Sequence, residues 1–82
     1  MNQKRILIVD DEASMRFLLS KQLKRAGYET ATAADGETAI AAASGTSFDA
    51  IVLDVVMPGI DGFEVCRQLK ADPRTQDVPV VF

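Results

Sequence analysis

Three aspartates stand at two points of the sequence where an acidic cluster could do chemistry. Asp10 and Asp11 directly follow the apolar run I-L-I-V (residues 6–9), and Asp54 follows A-I-V-L (residues 50–53). Carboxylates within a few ångströms of one another repel strongly unless one is protonated or a cation lies among them. An all-oxygen site suits a hard divalent cation, and Mg²⁺ is the usual one where a phosphate also binds. A carboxylate in such a site can also be a nucleophile that forms an aspartyl phosphate.

The simplest alternative is that each aspartate is structural, because Asp is common in turns and helix caps. That explanation is adequate for a lone aspartate at a strand end, and it is poor for three of them at two strand ends. Asp54 suits the role of nucleophile best, because it stands alone after its strand, beside the loop of residues 55–59.

The pattern of apolar residues predicts strands that alternate with helices. Short β-branched apolar runs predict strands, and apolar residues three or four apart predict amphipathic helices. Gly27 suits a left-handed helix cap, and Asp61 with Glu64 has the spacing of a capping box. The predicted strands are residues 5–9, 28–33, 49–54 and 78–82, and the predicted helices are residues 13–26, 35–44 and 61–71.

Alternating strands and helices predict an α/β fold with a doubly wound parallel sheet, because parallel neighbours need crossover connections. Two strand orders are common in such sheets. In the flavodoxin-like order, 2-1-3-4, the first and third strands are neighbours and the switch point lies between their carboxyl ends. That order would bring Asp10, Asp11 and Asp54 into one crevice.

Composition restricts the function further. The 82 residues suffice for one small domain, and the net charge of −3 with scattered basic residues argues against nucleic-acid binding. No apolar run approaches the roughly 20 residues of a membrane span, and the N-terminus does not resemble a signal peptide. The single cysteine fits a reducing compartment, so we expect a cytoplasmic protein without membrane contact. The absence of histidine excludes Ser-His and Cys-His catalysis.

Four segments then follow one another in a fixed order: I-L-I-V-D-D-E (6–12), A-A-D-G-E-T-A (33–39), D-A-I-V-L-D-V-V-M-P-G-I-D-G (49–62) and the stretch from D-P to V-P-V-V (72–81). Together they resemble the receiver domain of two-component response regulators, including chemotaxis regulators, over the whole chain. The resemblance implies that Asp54 is the phosphoacceptor and that Asp10 and Asp11 help to hold Mg²⁺ with it. The backbone carbonyl of Val56 would complete the protein ligands. A histidine kinase or a phosphotransfer protein would be the donor, and the receiver would not be a turnover enzyme.

The same resemblance implies that residues 1–82 are the N-terminal two thirds of a receiver domain, with the fifth strand and the last two helices absent. The family's phosphate-contacting Ser or Thr and its Lys would both lie beyond Phe82. We therefore expect an engineered fragment, a partly ordered longer protein or a segment-exchanged assembly, with impaired phosphorylation. The fourth strand would be an exposed apolar edge, which predicts self-association.

A surface aromatic on the first predicted helix is a candidate for partner docking. Phe17 lies about 180° from the apolar stripe at about 100° per residue, and Arg16, Ser20 and Lys21 surround it. It could be an incidental exposed aromatic. Aromatics with basic neighbours are also favoured at interfaces, and in receivers this helix commonly faces the kinase. We therefore predict docking through Arg16, Phe17 and Ser20.

Other functions fit the sequence less well. A pseudo-receiver, acting as an interaction or oligomerisation module without phosphorylation, is the main alternative, and the intact acidic trio argues against it. A phosphatase of the haloacid dehalogenase type would need a second Asp where Val56 stands. A nucleotide-binding module would need a glycine-rich turn after the first strand, where the chain has Asp-Asp-Glu.

Overall fold

The computed structural model describes residues 3–82, in which strands and helices alternate as predicted. The strands are β1 (Arg5–Val9), β2 (Glu29–Ala33), β3 (Ala50–Leu53) and β4 (Val80–Val81). The helices are α1 (Ala13–Arg25), α2 (Gly36–Gly45) and α3 (Gly62–Ala71), and none of them is long and apolar enough to cross a membrane. The strands pair in parallel in the order β2-β1-β3-β4. The predicted doubly wound α/β fold with the flavodoxin-like order is confirmed.

The register of the central strand β1 brings two aspartates to the same edge of the sheet. Val9 pairs with Ala33 of β2 on one side and with Leu53 of β3 on the other. The Asp10 amide donates to the carbonyl of Ala33 (3.1 Å). The Asp54 amide donates to the carbonyl of Val9 (2.9 Å). These bonds continue both ladders by one residue, so Asp10 and Asp54 leave the sheet side by side.

The main core lies on the sheet face that α2 and α3 cover. Alternate strand residues point to this face, including Leu7 and Val9 of β1 and Ile51 and Leu53 of β3. The buried helix residues of the same cluster are Ala39, Ala43, Val65 and Leu69. Burial of a Val, Leu or Ile side chain contributes about 1.5–3 kcal/mol. This layer therefore holds β1 and β3 in place beside the strand ends that carry Asp10 and Asp54.

Helix α1 packs on the opposite face, against β1 and β2. Ile6 and Ile8 of β1 are buried on this face and do not belong to the main core. The Ser20 hydroxyl of α1 lies 2.6 Å from that of Thr30 on β2. No residue of α1 is fully buried, although its apolar stripe predicts an inward face. Leu18 is 47% exposed, because α1 is the only helix that residues 3–82 place on this face.

The helix ends follow the signals in the sequence, with one exception. Gly27 takes φ +100 after α1, as expected for a left-handed cap. The Asp61 side chain accepts a hydrogen bond from the Glu64 amide (2.9 Å) and caps α3. The reciprocal bond of a capping box does not form, because Glu64 pairs with Arg67 and accepts a bond from Gln68.

Strand β4 is shorter than the predicted range of residues 78–82. Val78 belongs to the preceding turn, where its amide donates to the Thr75 carbonyl (3.1 Å). Pro79 has no amide hydrogen to donate. Ladder pairing therefore starts at Val80, which lies opposite Ile51.

Acid should weaken the fold partly through Glu64. The hydrogen bond from Arg67, followed by that from Gln68, lowers the pKa of Glu64 from 4.5 to about 2. The unfolded chain therefore binds a proton here at higher pH than the folded chain, so stability is lost as pH falls from 4.5 towards about 2. We expect the Tm to fall across this window, and to fall less in Glu64→Gln. Equal changes of Tm with pH in both proteins would contradict this expectation.

Candidate functional site

The acidic edge of the sheet brings together the three aspartates that the sequence singles out. Asp10, Asp11 and Asp54 each offer a carboxylate oxygen, and these oxygens lie within 4.8 Å of one another. Asp10 and Asp54 are half-buried, and Asp11 is exposed. The cluster forms because β1 and β3 are neighbours in the sheet. The structure therefore places all three carboxylates where one ligand could contact them.

Backbone amides of the following loops donate hydrogen bonds to two of these carboxylates. The Asp10 carboxylate accepts a bond from the Glu12 amide (3.0 Å), and the Asp54 carboxylate accepts one from the Val56 amide (3.3 Å). Each bond uses Oδ1. Within residues 3–82, the Oδ2 atoms of Asp10 and Asp54 receive no hydrogen bond, so they are available to a ligand.

The composition of the cluster fits a divalent cation. None of the ion pairs formed within the described part of the chain includes Asp10, Asp11 or Asp54. Three carboxylates this close repel one another unless a cation lies among them. Mg²⁺ prefers oxygen ligands and usually keeps several waters, and the exposure of Asp11 leaves room for them. The residues present therefore fit Mg²⁺ at this edge.

Gly62 lets α3 begin directly against the strand end that carries Asp54. Its amide donates to the Val55 carbonyl (2.9 Å). A Cβ at this position would lie 2.5 Å from the Asp54 carbonyl oxygen and 2.8 Å from Val55 Cα. The sequence pattern predicted only a helix start here. The signal was available, because glycine is a poor helix former and is favoured where another backbone approaches closely.

The loop between Asp54 and α3 places Val56 at the surface. Its side chain is 79% exposed, whereas the next residue, Met57, is buried in the main core and anchors the loop. Gly59 turns the chain with φ +79. The amide of Val56 is thus held at Asp54, and the role of its carbonyl as a metal ligand stays a prediction.

The predicted docking residues of α1 divide into two kinds. Phe17 is 68% exposed, and the Lys21 ammonium lies 5.4 Å from its ring centre. Both line a shallow groove of about 380 Å³, together with Arg16 and Ser20. Ser20 also contacts a hydroxyl on β2 (2.6 Å), and Arg16 donates to the Asp10 carbonyl (2.8 Å). Phe17 therefore offers free surface, while Arg16 and Ser20 also have contacts inside the domain.

Comparison with known protein families decides what kind of domain this is. The sequence pattern of the response regulator receiver domain matches residues 6–82. This chain belongs to the response regulator receiver family. The matched range contains Asp10, Asp11 and Asp54 and the three helices found within residues 3–82.

The receiver domain is similar to part of a longer bacterial regulator. Response regulator PleD of Caulobacter vibrioides is 56% identical to it over 79 residues. That alignment covers 95% of this chain and 17% of PleD. The chain thus spans less than a fifth of the length of this curated relative.

Solved structures share the fold of this receiver domain. Chemotaxis protein CheY4 of Vibrio cholerae has a TM-score of 0.92 at 39% identity, covering 96% of this chain and 66% of CheY4. Response regulator protein TrrA of Thermotoga maritima, solved in complex with Mg²⁺-BeF, has a TM-score of 0.89 at 40% identity, covering 95% of this chain and 66% of TrrA. TrrA has also been solved in complex with the histidine kinase ThkA. The receiver domain spans just under two thirds of the length of these solved chains.

Proposed function

We propose that Asp54 of this receiver domain, within the full-length protein, accepts a phosphoryl group in a Mg²⁺-dependent reaction, with a histidine kinase or a phosphotransfer protein as donor; residues 1–82 alone should be phosphorylated poorly. The observation that carries the proposal is the convergence of Asp10, Asp11 and Asp54 within 4.8 Å. Membership of the receiver family supports it. The Mg²⁺-BeF complex of the similar protein TrrA supports the choice of cation, and its kinase complex supports the choice of donor.

Asp54 has the position of the nucleophile. One of its carboxylate oxygens would attack the phosphorus and form an O–P bond, while the bond from phosphorus to the donor's imidazole nitrogen breaks. The electron pair of the broken bond stays with that nitrogen. Because the Val56 amide holds Oδ1 of Asp54 (3.3 Å), Oδ2 is the atom best placed to attack.

Asp10 and Asp11 would act by holding the cation, together with Asp54 and the carbonyl of Val56. When bound, Mg²⁺ supplies positive charge that offsets the crowded carboxylates and the charge of the phosphoryl oxygens. Because β1 and β3 are paired strands, the sheet itself maintains the separation of Asp10 from Asp54. The domain would promote its own phosphorylation without being a turnover enzyme.

Phosphorylation by a small-molecule donor tests this proposal without a kinase. Full-length protein incubated with acetyl phosphate and Mg²⁺ should gain the mass of one phosphoryl group, with release of acetate as the acyl phosphate bond breaks. Excess EDTA should prevent the gain. Modification that is complete in EDTA, or absent with Mg²⁺, would contradict the proposal.

Donor docking is proposed on the face of α1 around Phe17. Phe17→Ala should lower the rate of phosphotransfer from the cognate kinase about tenfold or more, because exposed aromatics at interfaces often carry a large part of the binding energy. Modification by acetyl phosphate should be unchanged, since that donor needs no docking surface.

A matched control for this variant is Phe63→Ala, which removes a similarly exposed aromatic from α3. Kinase-dependent phosphotransfer to Phe63→Ala should match that of the wild type. Equal rates for Phe17→Ala and the wild type would contradict docking at Phe17.

Two further expectations remain predictions. The pseudo-receiver alternative gains no support from the family match, and the complete acidic trio argues against it.

Self-association through β4 is suggested by Val81 and Phe82, which are more than half exposed, and size measurement in solution would test it.

A further inference from the structure

Arg16 connects the docking face of α1 with the acidic edge of the sheet. Its guanidinium donates from Nη1 to the carbonyl oxygen of Asp10 at 2.8 Å, in a partly buried contact. No carboxylate of residues 3–82 forms an ion pair with it. The side chain therefore binds a backbone carbonyl although Asp11 and Glu12 are close to it in sequence.

The Asp10 carbonyl is an acceptor that the regular sheet does not pair. Strand β1 ends at Val9, although the Asp10 amide still donates to the Ala33 carbonyl (3.1 Å). A partly buried carbonyl without a donor is unfavourable, and Arg16 supplies that donor. The main chain of Asp10 is thus held on both sides, by β2 through its N–H and by α1 through its C=O.

The direction of this carbonyl also determines where Asp11 begins. Because the peptide unit is planar, the Asp10 C=O sets the direction of the Asp11 N–H and the position of Asp11 Cα. The loop is further tied by the bond from the Glu12 amide to Asp10 Oδ1 (3.0 Å). The Arg16 amide in turn donates to the Glu12 carbonyl (3.1 Å). Arg16 therefore contacts the backbone on both sides of Asp11, at the carbonyls of Asp10 and Glu12.

We propose that Arg16 is a positioning residue for the cation site, which places Asp10 and Asp11 from the side of the docking groove. The inference rests on the proposed function, because it concerns the same Mg²⁺ site. An acidic group of a docked partner would compete with the Asp10 carbonyl for the guanidinium, since charge-assisted bonds are the stronger ones. Partner docking and Mg²⁺ binding would then be coupled, and each would alter the other by the same factor.

The electrostatic effect of Arg16 and its positioning effect predict opposite changes in Mg²⁺ affinity when the side chain is removed. Removal of a cation near a Mg²⁺ site should tighten Mg²⁺ binding if electrostatics alone acts. Release of the Asp10 carbonyl should instead weaken it, because loss of outer-shell partners lowers metal affinity about 10- to 100-fold. Arg16 holds the backbone and not a ligand atom, so we expect the effect to lie at or below the lower end of that range.

Mg²⁺ titrations followed by the NMR amide signals of residues 10–12 and 54–56 test the proposal on the full-length protein. In Arg16→Gln, the Kd for Mg²⁺ should rise about five- to tenfold. Arg16→Lys keeps the charge and can still reach a carbonyl, so its Kd should rise about two- to threefold. Arg25→Gln removes the same charge from α1 outside the groove, and should bind Mg²⁺ as the wild type does.

The outcomes separate this inference from the function on which it rests. Unchanged or tighter Mg²⁺ binding in Arg16→Gln, beside normal wild-type binding, overturns the inference and leaves the proposed function standing. Absence of Mg²⁺ binding in the wild type overturns both. If Arg16→Gln does not fold, Arg16→Lys decides: weaker binding at an unchanged Tm supports the inference, and wild-type affinity overturns it.

Discussion

Asp54→Asn should reduce Mg²⁺-dependent phosphorylation to below about 1% of the wild-type level, because an amide is not a competent nucleophile in place of the carboxylate. The substitution keeps the shape of the side chain and an oxygen for the Val56 amide. The measurement is the mass gain of full-length protein after incubation with acetyl phosphate and Mg²⁺. Asp77→Asn, in the exposed turn before β4, is the matched control and should be phosphorylated like the wild type.

The same substitution should have the opposite effect on stability. Asn removes one of three like charges whose oxygens lie within 4.8 Å, so without Mg²⁺ the variant should melt at the same or a higher temperature. Mg²⁺ should raise the Tm of the wild type more than that of the variant, because a ligand of the folded state stabilises it. Full phosphorylation of Asp54→Asn, or an equal rise of Tm with Mg²⁺ in both proteins, would contradict the assignment of Asp54 as phosphoacceptor and metal ligand.

Gly62→Ala should destabilise the domain and impair phosphorylation together. The new Cβ would lie 2.5 Å from the Asp54 carbonyl oxygen and 2.8 Å from Val55 Cα, so α3 or the end of β3 must move. Overpacking of this kind costs about 1–3 kcal/mol, and each kcal/mol lowers the Tm of a domain this small by about 4–8 °C. Because the closest of the clashing atoms belongs to Asp54 itself, we expect phosphorylation to slow about ten- to hundredfold.

The matched control for this variant is Gly45→Ala at the end of α2. A Cβ at Gly45 would meet nothing within 4 Å, and alanine is the better helix former by up to about 1 kcal/mol. Thermal melts should therefore show an unchanged or slightly raised Tm, with normal phosphorylation by acetyl phosphate. Wild-type behaviour of Gly62→Ala in both measurements would show that α3 does not need this close approach.

The fold and the clustering of the three aspartates were predictable because both follow from the order of apolar runs and turn residues along the sequence. Buried strands were recognisable from short β-branched runs, and their alternation with helices required parallel pairing. The aspartates could then be placed because strand ends in a parallel sheet share an edge. The neighbouring positions of β1 and β3 were the one topological choice, and the structure confirms it.

Contacts that depend on the exact approach of two elements were not predictable in this way. The bond from Arg16 to the Asp10 carbonyl forms only at a particular orientation of α1 about its own axis. The spacing of apolar residues defines that orientation only coarsely. Phe63 is about 60° in helical phase from the partly buried Cys66, yet it is 63% exposed, and its ring centre lies 5.3 Å from that of Phe82. Spacing specifies a face of a helix, whereas the neighbouring elements determine how much of that face is covered.

Reductive trapping of the phosphorylated residue tests the central claim most directly. An aspartyl phosphate is an acyl phosphate, which borohydride reduces to homoserine, so peptide mass spectrometry can identify the modified residue. After incubation of full-length protein with acetyl phosphate and Mg²⁺, we expect homoserine in place of Asp54 and of no other aspartate, and none in EDTA. Homoserine in place of Asp10, Asp11 or another aspartate, with Asp54 unmodified, would contradict the assignment of Asp54 as the phosphoacceptor.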